Sequence, residues 1–137
     1  MRKPSPWELW TLNFELCVGV MAEVEPAVRA HGVEMKEFFL LAKLDEHPYP
    51  GDLARALVTP KPSVTFMVKR MEAAGFVQRE TESGDLRMFR LTLTKSGRKA
   101  MEAARAVLEE AYGKRIGRLS AAERAALGGM LGRMASP

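Results

Sequence analysis

PGDLARALVTPKPSVTFMVKRMEAAGFVQRETESGDLRMFRLTL, running from Pro50 to Leu93, spells two short helices in tight succession and then two strands with a polar turn between them. The first helix is Asp52 to Leu57. Thr59 and Pro60 predict the start of the second, with the threonine hydroxyl as N-cap and the proline at the first helical position, and that helix runs to Gly75. Within it Val64, Val68 and Met71, with Met67 between, recur on one face of a 3.6-residue repeat, so Lys61, Pro62, Thr65, Phe66 and Lys69 point the other way. Phe76 to Arg79 is a short, half-apolar strand, and Phe89 to Leu93 alternates with Phe89, Leu91 and Leu93 on one side. Ser83, Gly84 and Asp85 supply the turn, where a glycine free to take positive φ lets the chain reverse and leaves Arg87 near the tip of a projecting hairpin. Two helices followed by such a hairpin make a winged helix-turn-helix, and the outward face of the second helix is the candidate reading head.

Upstream, Ser5-Pro6-Trp7-Glu8 is a capping box with proline at the first helical position. In the long helix that follows, Trp10, Phe14, Cys17, Val18 and Met21 form one stripe, and Leu9, Leu12, Leu16 and Val20 widen it. A helix apolar on two sides needs two partners. Pro26 is expected to kink or interrupt it, because proline removes a donor and crowds the preceding turn. Glu34 to Glu46 reads as the next helix, burying Phe38, Leu41 and Leu44 and ended by His47-Pro48. Downstream, Thr94 caps a helix from Lys95 to about Arg118 with Ala103, Ala104, Val107, Leu108, Ala111 and Tyr112 on its apolar side. Ser120 to Glu123 is a second capping box, ahead of Leu127, Met130, Leu131 and Met134. The fold class is therefore mainly α with a small β-wing.

The formal net charge is only +4, so its distribution matters more than its sum. Before Gly51 acidic residues outnumber basic ones. From Gly51 to Lys99 the balance reverses, with Arg55, Lys61, Lys69, Arg70, Arg79, Arg87, Arg90, Lys95, Arg98 and Lys99 against Asp52, Glu72, Glu80, Glu82 and Asp85. The winged-helix segment is the basic part, as a polyanion binder requires.

Asp52-Leu53-Ala54, Ser63-Val64-Thr65, Gly75-Phe76-Val77-Gln78-Arg79, Asp85-Leu86-Arg87 and Leu93-Thr94-Lys95-Ser96-Gly97 stand in the order and spacing of the MarR family signatures, and from Gly32 to Gly97 the chain resembles that family. The resemblance implies a single domain over residues 1–137, with a DNA-binding winged-helix lobe at 32–94 and dimerisation helices at 1–31 and 95–137. It implies a homodimeric transcription regulator, most often a repressor, that grips a pseudo-palindrome in double-stranded DNA and whose lobe spacing an effector changes. Small aromatic acids are the usual effectors of the family. Candidate DNA contacts are Lys61, Pro62, Ser63, Thr65, Phe66, Lys69, Arg70 and Arg87. Lys61 sits where the helix-start amides attract phosphate, and the hydroxyls of Ser63 and Thr65 reach phosphates or base edges. Many relatives carry arginine after Thr65. Phe66 here replaces a bidentate guanine contact with an apolar one, suited to a thymine methyl. Arg87 matches the wing arginine that enters narrow, A·T-rich minor grooves, with Asp85 bracing it and Leu86 where many relatives have a second basic residue.

The resemblance also suggests an effector pocket lined by Trp10, Phe14, His31 and Phe38, although aromatic residues at helical spacing equally describe plain core. Cys17 is the candidate redox residue, because some members of the family sense peroxide through a cysteine in the first helix. It lies about two helical turns from the place such a sensor requires, and Phe14, Val18 and Met21 around it predict a buried, inert thiol.

No apolar run approaches the roughly 18 residues of a membrane helix, and the N-terminus has no signal-peptide pattern, so a cytoplasmic location is expected. One cysteine and two histidines offer no structural zinc site. With no nucleophile-base arrangement and no phosphate loop either, neither an enzyme nor a cofactor is expected. Two other readings stay open: a winged helix that docks protein instead of DNA, and a sequence-independent chromosomal DNA binder.

Overall fold

The computed structural model of the chain describes the backbone of residues 1–82 and 85–137 and the side chains of 1–81 and 89–137. Its elements are α1 (Pro6–Arg29), α2 (Met35–Lys43), α3 (Pro50–Ala56), α4 (Lys61–Ala73), β1 (Val77–Glu82), β2 (Asp85–Leu93), α5 (Lys95–Ile116) and α6 (Ala121–Ala135). A mostly helical chain with one two-stranded antiparallel sheet is the class that the sequence pattern leads to. The expected turn at Ser83 and Gly84, the Asp85 brace, Leu86 and the Arg87 side chain lie outside the described residues.

The chain divides into two compact units, one of Met1–Glu23 with Leu108–Pro137 and the other of Val24–Val107. The borders fall inside α1 and α5. Val24 and Val28 late in α1, and Ala100, Met101 and Ala104 early in α5, are buried and belong to the winged-helix unit.

In the first unit, the Ser5 amide donates to Glu8 Oε2 (2.7 Å) and the Glu8 amide donates to Ser5 Oγ (3.1 Å), the reciprocal box that starts α1. Arg115 of α5 ties back to α1, its Nη1 2.8 Å from Glu23 Oε2. Along α1, Trp7, Leu9, Trp10, Leu12 and Phe14 are each at least half exposed, and no residue of α6 is buried. Of the kink or interruption expected at Pro26, the interruption does not occur. The helix continues to Arg29, because Pro26 withholds only its own amide and still accepts from the Ala30 amide at 3.1 Å in the last turn.

The winged-helix unit packs α2, α3, α4 and β1 around Leu40, Leu41, Leu44, Leu53, Val64 and Met71, all 1% exposed or less. Each such side chain stabilises the fold by about 1.5–3 kcal/mol on burial. Helices α3 and α4 end alike. After α3 the Val58 amide donates to Arg55 O and the Thr59 amide to Ala54 O; after α4 the Gly75 amide donates to Glu72 O and the Phe76 amide to Met71 O. Both are Schellman turns, whose first residue past the cap takes a left-handed conformation. Gly75 does so at φ 80, and Val58 does so at φ 48. For a β-branched residue this conformation costs about 1–2 kcal/mol.

Thr59 is not the N-cap of α4, as the sequence suggested. Its hydroxyl donates to Leu57 O (2.9 Å), and Pro60 is the cap, with extended ψ of 139°. Pro62 in the first turn has no amide for a capping side chain to satisfy, so the helix starts without one. Strands β1 and β2 pair from Val77 opposite Leu93 to Thr81 opposite Phe89, and the Leu91 amide donates to Pro48 O at 2.8 Å, which ties the hairpin to the approach of α3. Thr94 caps α5 by accepting from the Gly97 amide, while its own hydroxyl and that of Ser96 donate to Gly75 O. A Cβ on Gly97 would run into the Phe76 carbonyl, so only glycine lets α5 begin this close to the end of α4.

The Glu8 carboxyl is held below the 4.5 of a free glutamate first by the Ser5 amide and then by Arg2, and the Glu123 carboxyl chiefly by the Ser120 amide. A depressed folded value means that both caps stabilise fully above pH 4.5 and are lost as pH falls through the lowered values. Carboxyl 13C titration should show both groups with midpoints below the 4.5 of a free glutamate; unshifted midpoints would mean that the boxes do not form in solution.

Candidate nucleic-acid interface

Helix α4 is held from behind and left bare in front. Val64, Met67, Val68 and Met71 are buried against the unit, and Lys61, Pro62, Ser63, Thr65, Phe66, Lys69 and Arg70 are exposed. Phe66 does not fold back into the core: it is 64% exposed, in the midst of the polar face. Lys61 and Lys69 have no acidic partner among the described residues, so their charges face solvent. The Thr65 hydroxyl donates to Lys61 O (3.0 Å), which leaves its oxygen as an acceptor toward solvent.

Arg70 departs from the sequence reading. Its Nη1 lies 3.0 Å from Oε2 of Glu37, a carboxylate only 2% exposed in the body of α2. The other Glu37 oxygen accepts from the Glu34 amide (2.8 Å) and so caps α2, while Oε2 has charge contact with Arg70 but no aligned hydrogen bond. The Arg70 charge is thus committed to holding α4 on α2, although half of its side chain remains exposed.

The flanks of α4 hold groups that the sequence reading did not single out. On one side Tyr49, Lys61, Thr65, Lys69, Arg79 and Phe89 border a concavity of about 490 Å³. Arg79 is fixed there by Glu72 (2.8 Å) and by stacking at 4.4 Å over the Phe89 ring. At the turn before α4, Arg55 and Val58 are exposed, Val58 at 92%. His47 Nδ1 lies 2.8 Å from Asp52 Oδ2 and steadies the start of α3. Neither Val58 nor Arg55 bears a signal recognisable in sequence, because a left-handed valine at a turn has no pattern that announces it.

The other candidates fall in both units. Trp10 and Phe14 are exposed in the first unit, at 59% and 56%. His31 is exposed in the winged-helix unit and Phe38 is buried there. Cys17 is exposed in this chain, not buried as its apolar neighbours suggested, because those neighbours on α1 are themselves uncovered. Among the described residues no cluster of His, Cys, Asp and Glu could hold a metal ion, and no helix is long and apolar enough to cross a membrane.

The sequence profile of the MarR family matches residues 33–89, the stretch that carries this face. The chain is 32% identical over 94 residues to the homoprotocatechuate degradative operon repressor of Escherichia coli, covering 67% of this chain and 64% of that one. It therefore spans just under two thirds of the length of that relative. The Mycobacterium tuberculosis MarR family protein Rv2887 in complex with salicylic acid superimposes with a TM-score of 0.75 at 26% identity, over 98% of this chain and 99% of that one. The same protein in complex with DNA superimposes with a TM-score of 0.76 at 25% identity, over 97% and 100%. The fold is the winged helix of transcription regulators. Residues 33–89 match the MarR family, and the chain shares the fold of the MarR family protein on which it superimposes.

Two substitutions separate the roles on α4. Arg70→Ala leaves Glu37 buried without its counter-charge and should destabilise the protein by about 3 kcal/mol, most of which Glu37→Gln in the same chain should restore. A wild-type urea midpoint for Arg70→Ala would return Arg70 to the list of free cations. Phe66→Ala should change the unfolding free energy by no more than about 0.5 kcal/mol and, on duplex DNA, relax a preference for thymine by about 1 kcal/mol. A large drop in melting temperature would place the ring in the core instead.

Proposed function

We propose that the protein is a DNA-binding transcription regulator, a repressor, that acts as a homodimer on a pseudo-palindromic operator and releases it on binding a small aromatic acid. The observation that carries this reading is the outward face of α4, where Lys61 and Lys69, without an acidic partner among the described residues, flank Thr65 and exposed Phe66 on a helix locked from behind. A helix of this width fits the major groove, where every base pair shows a distinct pattern. Lysines supply sequence-independent attraction to phosphates, and Ser63, Thr65 and Phe66 supply contacts to base edges and the thymine methyl. The Arg87 position on β2 adds the minor-groove contact of a wing.

Dimerisation is supported by the first unit. Trp7, Trp10, Leu12 and Phe14 on α1, with Met130, Leu131 and Met134 on α6, expose more large apolar side chains than a soluble monomer tolerates. A two-fold pair covers them and sets two α4 helices about one turn of DNA apart. The kind of effector is suggested by the relatives, one named for homoprotocatechuate and one bound to salicylic acid. Such a ligand acts by binding better to the arrangement of lobes that does not fit the operator, and its effect is limited to that difference in affinity.

Sedimentation at micromolar concentration should give a dimer, and selection from random duplexes should enrich an inverted repeat. If Lys61, Lys69 and Arg87 of both subunits neutralise roughly six phosphates, log affinity should fall against log salt with a slope of about −5. A slope near zero would remove DNA as the partner. Steep salt dependence with no enriched repeat would instead favour a sequence-independent DNA binder.

A further inference from the structure

The chain adopts a left-handed backbone at Gly32, Gly75 and Val58 among the described residues. Two of these, Gly75 and Val58, occupy the same place in the same motif, one residue past the caps of α4 and α3. At Gly75 a Cβ would meet nothing within 4 Å, so glycine stands there for its backbone alone. Val58 needs the same backbone yet carries a branched side chain that strains it. That side chain is 92% exposed and so has almost nothing to stabilise within the chain.

Its surroundings are specific. Val58 borders a concavity of about 590 Å³ together with Gly51, Ala54, Arg55, Thr59 and Lys61. The side chains of Gly51 and Ala54 are minimal. Arg55 is 78% exposed, and its guanidinium reaches Asp52 only at 3.7 Å; Lys61 has no acidic partner among the described residues. The turn thus sets an apolar knob between two cations at the threshold of α4. A nucleic-acid strand alternates in the same way, with anionic phosphates on either side of a sugar whose face is largely apolar.

We propose that the turn between α3 and α4 is a backbone-docking site for one strand of duplex DNA, in which Val58 packs on a deoxyribose while Arg55 and Lys61 hold the phosphates flanking it. The proposal rests on the DNA-binding reading above and extends it to Arg55 and Val58. Contacts to sugar and phosphate position a protein on DNA without reading sequence. Val58 therefore adds affinity on every sequence equally, in contrast to Phe66.

The test uses the full-length protein and a labelled mixed-sequence duplex of two to three helical turns, titrated at several salt concentrations. Val58→Gly keeps the left-handed backbone at no strain, so its melting temperature should equal or exceed the wild-type value. Its affinity should nevertheless fall about tenfold for the two valines of a dimer, with an unchanged salt slope. Val58→Thr, which keeps the branched shape, should retain most of the affinity. Arg55→Gln should lower the magnitude of the slope by about two, one phosphate per subunit. Affinity of Val58→Gly within twofold of wild type, or a loss of affinity matched by a lower melting temperature, overturns the proposal and leaves the DNA-binding reading standing. A loss confined to one selected sequence reassigns Val58 to base reading. Wild-type protein without salt-dependent binding overturns both, and an exposed valine that docks a protein partner is then the reading left.

Discussion

Glu37 is a carboxylate in the interior of a small helical unit, and the presentation of α4 depends on how it is satisfied. One oxygen takes the amide that opens α2, and the other faces the guanidinium of Arg70. Burying a charge is unfavourable unless it is paired, so the arrangement tolerates only one placement of α4 over α2. Apolar packing of Val64, Met67, Val68 and Met71 supplies the bulk attraction, but such packing is non-directional. The ion pair adds direction, and in doing so it takes Arg70 from the cations of the outer face.

The same economy of positions shapes both ends of α4. Its start is made by Pro60 and Pro62, which need no capping side chain, so the threonine beside them is free to bond within the preceding turn. At its end Gly75 takes the left-handed turn, and its carbonyl receives the hydroxyls of Thr94 and Ser96. The motif Leu93-Thr94-Lys95-Ser96-Gly97 therefore has a physical meaning. Threonine and serine clamp the turn after α4, and the glycine that follows permits the approach of α5 to Phe76.

The two units meet different demands. The winged-helix unit buries Leu40, Leu41, Leu44, Leu53, Val64 and Val68, whereas the first unit leaves Trp7, Trp10 and Phe14 uncovered. Among its described charged features are capping boxes at Ser5 and Ser120 and the Arg115–Glu23 clasp, local devices that define helix ends and one helix pairing without enclosing a core. A surface of this kind is stable in water when something apolar covers it, and this is the ground for the second copy proposed above.

Local sequence determined the elements, because helix and strand periodicities and capping boxes act over a few residues. Val64, Val68 and Met71 had to face inward, Phe66 had to face outward, and Ser5, Thr94 and Ser120 had to cap their helices. Charge placement along the chain also marked the winged-helix segment as the basic part. Only the tertiary structure decided which charges remain available, since Lys69 and Arg70 are neighbouring basic residues in the sequence and a buried glutamate contributed by another helix separates their roles. It likewise decided that Cys17 is uncovered, because burial depends on what packs against a stripe and not on the stripe itself. Val58 belongs to this second group. Its strain and exposure come from the angle at which α3 hands over to α4, and that angle is set by packing between helices, which no single stretch of sequence contains.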